Sequence, residues 1–142
     1  MLNEKENELL KHLRVNSRKS LAKVSKETGI PLSTLFETLK KLESEWITKH
    51  TSLLDFSKMG HNVKVHMVMN TNRKPELKEH LVQSPNVNSL SSLINEHDFY
   101  AECIFKDLKE MSEFKEQLTE FDINHLEHTF IIDDIKREGF HP

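Results

Sequence analysis

The segment Ser20-Leu21-Ala22-Lys23-Val24-Ser25-Lys26-Glu27-Thr28-Gly29-Ile30-Pro31-Leu32-Ser33-Thr34-Leu35-Phe36-Glu37-Thr38-Leu39-Lys40-Lys41-Leu42-Glu43 reads as two helices joined by a tight turn. Ser20 can cap a first helix whose inner face carries Leu21, Val24 and Thr28. Gly29 supplies a residue that adopts left-handed backbone without a Cβ penalty, which ends that helix. Pro31 suits the first turn of the next helix, where its missing N–H is not needed. Leu35, Leu39 and Leu42 then recur at helical spacing, with Phe36 beside them, so residues 32–45 bury that stripe. Two helices around a short glycine-containing turn form a helix-turn-helix, which presents its second helix to a DNA major groove.

The solvent side of that second helix holds Leu32, Ser33, Thr34, Glu37, Lys40 and Lys41. Hydroxyls at Ser33 and Thr34 can bond base edges or phosphates, and Lys40 and Lys41 can meet phosphates. Glu37 can accept from the cytosine amino group and otherwise repels phosphate. Arg18 and Lys19, just before Ser20, complete the candidate DNA-binding set. Charge supports this placement. Residues 1–50 carry a net +3, whereas residues 51–142 carry −6, within an overall −3. A basic first third on an acidic remainder confines any polyanion partner to one part of the chain.

Outward from this segment, Leu2, Leu9, Leu10 and Leu13 mark an amphipathic helix over residues 3–14. Residues 46–54 are expected to form a strand of a wing, and residues 55–59 a turn stopped by Gly60. Val63, Val65, Met67 and Met69 then alternate along a half-buried strand. A helix follows over residues 75–82, a weak strand over 87–94 whose spacing also suits a helix, and a strand over 98–105 with Phe99, Ala101, Cys103 and Phe105 inward. Leu108, Met111, Lys115, Leu118 and Phe121 mark another helix, and Leu126, His128, Phe130 and Ile132 a last strand. The order βαββαβ implies a ferredoxin-like antiparallel sheet with both helices on one face. Its other face needs cover, which a second copy of the chain supplies in a homodimer. The expected class is α+β, with a winged helix-turn-helix over residues 1–52, a connector over 53–61 and the βαββαβ domain over 62–142.

The chain as a whole resembles the leucine-responsive regulatory protein (Lrp/AsnC) family. The likeness lies in Leu9-Leu10, Arg18-Lys19-Ser20 and Gly29-Ile30-Pro31 through Leu42-Glu43, and most specifically in Leu53-Leu54-Asp55-Phe56-Ser57-Lys58-Met59-Gly60, which looks like the family's connector. Asn95-Glu96-His97-Asp98-Phe99 falls where the family has its ligand turn, with Asn95 in place of a glycine. The resemblance implies a transcription factor that binds double-stranded DNA as a dimer, with tetramers or octamers beyond it. It also implies an amino-acid effector met by Asn95, Glu96 and Asp98, with His97 inside the same turn. Sirohaem decarboxylases share the layout and are the enzymatic alternative, and a non-enzymatic partner protein of other regulators is the remaining one. The basic N-terminal excess would have no purpose in the decarboxylase, so no enzyme is expected.

Composition fits a cytoplasmic protein. Mean hydropathy is −0.60, no apolar run approaches a membrane span, and a single cysteine, Cys103, permits no internal disulfide. Nine histidines raise the question of a metal. His125 and His128, or His61 and His66, lie on opposite faces of their strands, so no sequence-local ligand pair exists. No metal and no cofactor is therefore expected.

Overall fold

A computed structural model describes residues 1–142 of the chain, which divide into two compact units. The first comprises Met1–Leu53 with Lys136–Pro142, and the second Leu54–Ile135.

Three helices build the first unit: α1 (Glu4–Val15), α2 (Leu21–Thr28) and α3 (Leu32–Glu45). Leu9, Val24, Leu35 and Leu42 are fully buried at its centre, ringed by Leu10, Leu13, Leu21, Leu39 and Ile47. Asn3 and Glu6 begin α1 with a capping box, each side chain bonding the other's backbone N–H. Arg14, near the far end of α1, donates to the carbonyls of Glu138 (2.5 Å) and Phe140 (3.1 Å). These bonds hold the last seven residues, which the sequence assigned to the second domain, against the first unit.

The strand expected over residues 46–54 does not form. Ile47 N–H instead bonds the Leu42 carbonyl at 2.7 Å, closing α3, and only Ile47 of this stretch packs on the core. Thr48 to Ser52 are polar and exposed, with no apolar alternation to bury and no backbone partner to pair with.

The second unit begins with a hydrogen-bonded turn over residues 55–61, in which Asp55 accepts from Ser57 and Lys58 and Gly60 has φ 82°. Then come β1 (Val63–Thr71), α4 (Lys74–Gln83), β2 (Val87–Ser92), β3 (Phe99–Phe105), α5 (Leu108–Leu118), a 3-10 turn and β4 (Ile123–Phe130). The four strands form an antiparallel sheet in the order β2-β3-β1-β4. Val65, Met67 and Met69 of β1 and Phe99, Ala101, Cys103 and Phe105 of β3 pack against Leu77 and Leu81 of α4 and Met111, Phe114 and Leu118 of α5. This is the expected ferredoxin-like arrangement, the central strands alternating as the sequence alternates.

Strand ends depart from expectation where nothing lies beneath them. β2 stops at Ser92, leaving Ile94 exposed, and β4 stops at Phe130, leaving Ile132 exposed. The opposite sheet face carries Lys64, His66, Val68 and Asn70 of β1, Tyr100, Glu102 and Ile104 of β3, and His125 and Glu127 of β4. No helix is long and apolar enough to cross a membrane.

Candidate nucleic-acid interface

The turn between α2 and α3 is built by polar side chains that satisfy its backbone. Gly29, at φ 74°, ends α2, and its N–H bonds the Ser25 carbonyl at 2.9 Å. Thr28 Oγ1 donates to the Val24 carbonyl and accepts from Ile30 N–H, while Ser25 Oγ donates to the Ile30 carbonyl at 2.6 Å. Pro31 stands before α3 without a side-chain cap, so the first amides of α3 keep their full pull on an anion.

Of the seven residues singled out for DNA, Arg18, Ser33, Glu37 and Lys40 are exposed and Thr34 is half-buried. Ser33, Glu37 and Lys40 share one face of α3, where the Lys40 and Glu37 side chains lie 3.7 Å apart in water. Thr34 faces more toward the bundle, and its carbonyl accepts from Thr38 Oγ1. Two lysines are engaged within the unit. Lys41 Nζ lies 2.6 Å from Glu6 Oε1, and Glu6 is 2% exposed. The Lys41 hydrogen bond, with the Asn3 amide, holds the Glu6 carboxyl below its ordinary range, and Glu6 raises Lys41 in turn. Lys19 pairs with the Glu27 carboxylate and stands 2.8 Å from His12 Nδ1. Its job is to bridge α1 and α2.

One residue of this face was not among the DNA candidates. Phe36 sits between Ser33 and Lys40 and is 52% exposed, with Leu32 a turn earlier at 41%. The sequence set Phe36 beside the leucine stripe, yet only Leu35 and Leu42 are buried, with Leu39 packed partly buried against them, and Phe36 is exposed. Its signal was the spacing Leu32–Phe36–Lys40, four residues apart on the polar face.

The turn singled out for an effector runs between β2 and β3. Asn95 has φ 80°, the left-handed geometry expected of a glycine substitute. Asp98 is committed to the fold: one carboxylate oxygen accepts from Thr71 N–H (3.0 Å) and the other faces Lys74 Nζ (3.1 Å). The Thr71 amide is the first cause holding this carboxyl below its usual range. Glu96 offers its carbonyl to Asn70 Nδ2 at 2.7 Å, and the side chains of Asn95 and Glu96 stay exposed. His97 Nδ1 meets Asn70 Oδ1 at 2.9 Å. Cys103 is fully buried, and burial pushes its thiol up to about 12.

A helix-turn-helix unit with an exposed second helix, followed by a four-stranded βαββαβ unit, defines a two-part α+β architecture. No protein-family profile matches the chain. An uncharacterised HTH-type transcriptional regulator of Pyrococcus furiosus is 26% identical over 144 residues, covering 99% of this chain and 97% of its own. Among solved structures, a Neisseria meningitidis transcriptional regulator crystallised with L-Met superposes with a TM-score of 0.88 at 19% identity, covering 96% of this chain and 94% of the other. Escherichia coli AsnC superposes with a TM-score of 0.86 at 14% identity over 100% and 99% of the two chains. The chain thus has the fold of the Lrp/AsnC regulators, and the resemblance drawn from its sequence agrees with both comparisons.

Proposed function

We propose that this chain is a transcriptional regulator of the Lrp/AsnC type that grips duplex DNA with α3, pairs through the sheet of its second unit and answers to a small amino-acid-like effector. One observation carries the DNA reading: a glycine-pivoted, fully satisfied turn holds the Ser33–Phe36–Glu37–Lys40 face of α3 out to solvent. Lys40 and Arg18 supply phosphate contacts. Ser33 and Glu37 supply base-edge hydrogen bonds, and Phe36 an apolar contact for a thymine methyl. Two such helices on a two-fold dimer would meet half-sites one DNA turn apart, roughly 34–36 Å. Val68 and Tyr100, directly paired on the sheet face opposite the helices and both partly exposed, are the apolar centre of the proposed pairing surface. The effector reading leans on the exposed Asn95 and Glu96 and on the L-Met named in the Neisseria complex.

The test measures single-residue variants of α3 against selected genomic fragments, with and without an amino-acid mixture. Lys40→Ala weakens binding on all sequences and flattens the salt dependence by about 0.9, one phosphate's worth. Phe36→Ala and Ser33→Ala instead relax preference by about 1–3 kcal/mol for each lost base contact. If Lys40→Ala leaves affinity and salt slope as in the parent, α3 is not the DNA-contacting helix.

A further inference from the structure

The sheet face opposite the helices gathers three metal-competent donors, of which only His125 and Glu127 are close in sequence. His125 and Glu127 stand two residues apart on β4, on the same face, with Nε2 and Oε1 3.3 Å apart. His97 reaches them from the β2–β3 turn, its ring stacked on that of His125 with centroids 5.2 Å apart and 14° between planes. One ligand atom from each of the three lies within 4.8 Å of the others. We propose that His97, His125 and Glu127 form a binding site for a divalent transition-metal ion.

The environment of His97 is the second, independent argument. Asn70, paired with His125 across β1 and β4, spends its amide N–H on the Glu96 carbonyl at 2.7 Å. Its oxygen is therefore the atom that meets His97 Nδ1 at 2.9 Å, and an oxygen there can only accept. The contact fits the neutral tautomer with the proton on Nδ1, in which Nε2 offers its lone pair. Orienting a ligand imidazole through its other nitrogen is how protein metal sites fix tautomer and aim. The turn that carries His97 is itself held at both ends: Leu93 N–H bonds the Asp98 carbonyl (2.9 Å) and Asp98 N–H the Met69 carbonyl (3.1 Å).

Two imidazoles and one carboxylate favour borderline ions such as Zn(II), Ni(II), Cu(II) or Co(II) over Mg(II) or Ca(II), which prefer all-oxygen shells. Tetrahedral coordination with bonds near 2.1 Å needs ligand atoms roughly 3.3 Å apart. His125 Nε2 and Glu127 Oε1 already stand 3.3 Å apart, and all three ligand atoms lie within 4.8 Å of one another. Three protein donors leave one position open to water or an anion.

The experiment uses the full chain, stripped with a chelator, without DNA or amino acid, so its outcome does not depend on the DNA-binding or effector readings. Zn(II) is titrated by calorimetry, and Co(II) by visible absorption. The parent takes up one ion per chain, with the absorption of low-coordinate Co(II). His97→Gln and Glu127→Gln each abolish that uptake, while Asn70→Ala, which removes the partner of His97 Nδ1 and the bond to the Glu96 carbonyl but no ligand atom, weakens it by about 10–100-fold. His66→Gln, in the neighbouring His66–Glu102 pair (3.4 Å), leaves it intact. The proposal is overturned if the parent takes up no stoichiometric ion, if His97→Gln and Glu127→Gln bind as the parent does, or if His66→Gln is the variant that loses uptake.

Discussion

Lys40 and Lys41 are neighbours in the chain and face different worlds, because successive helix residues point about 100° apart. Lys40 stands in solvent, while Lys41 neutralises a Glu6 carboxylate that is almost completely buried. Removing Lys41 leaves that carboxylate without its cation, so Lys41→Ala destabilises the first unit more than it alters phosphate contacts. Glu6→Gln keeps the N-terminal cap, since glutamine also accepts from the Asn3 amide, and deletes only the charge. The folded carboxyl titrates below its ordinary value of 4.5, so the ion pair's contribution is fully present above that pH and is lost as pH falls through the folded value. Thermal unfolding should therefore show Glu6→Gln below the parent at pH 7 and merging with it in acid. A gap that persisted under acid would mean that shape, not charge, makes Glu6 matter. The sequence offered both lysines as equal phosphate contacts, and only the packing of α1 on α3 separates them.

At the scale of elements, the helix-turn-helix depends on one backbone angle. A Cβ built at Gly29 meets no atom within 4 Å, so Gly29→Ala tests the left-handed φ of 74° and nothing else. The expected cost is about 1–2 kcal/mol, read from urea denaturation. Gly29→Asn should cost less, because asparagine tolerates this region. Such punctuation is legible in a sequence, as are the periodicities that gave α1 to α5 and the alternation that gave β1 and β3. The wing was not, because a strand exists only through its partner, and residues 46–54 find none within their unit. Phe36 escaped for a related reason: an apolar residue beside a leucine stripe looks like core until the stripe's direction is known. Of the His97–His125–Glu127 group, the i, i+2 spacing of His125 and Glu127 was present in the sequence, but His97 was out of reach, since it depends on a turn folding over the edge strand from 28 residues away.

The whole molecule separates its charges between its parts. Residues 1–50 are net positive and the remainder net negative, so any polyanion is drawn to one unit and turned away from the other. On the pairing proposed above, sedimentation at micromolar concentration should return twice the chain's 16.7 kDa or a multiple of it. Val68→Asp, which sets a charge opposite Tyr100 on the uncovered sheet face, should shift the mass toward the single chain while far-UV dichroism stays unchanged. A parent that sediments as one chain would remove the two-fold basis for paired half-sites.

The chain contains one tryptophan and one tyrosine, and the fold has put them in different units. Trp46 closes α3, partly exposed, while Tyr100 lies mid-sheet with its ring 5.1 Å from that of His66. Indole emission therefore watches the helical unit alone and phenol absorbance the sheet unit alone. The native molecule carries its own pair of optical labels, through which melting or ligand-induced change in either half can be followed without attaching a dye.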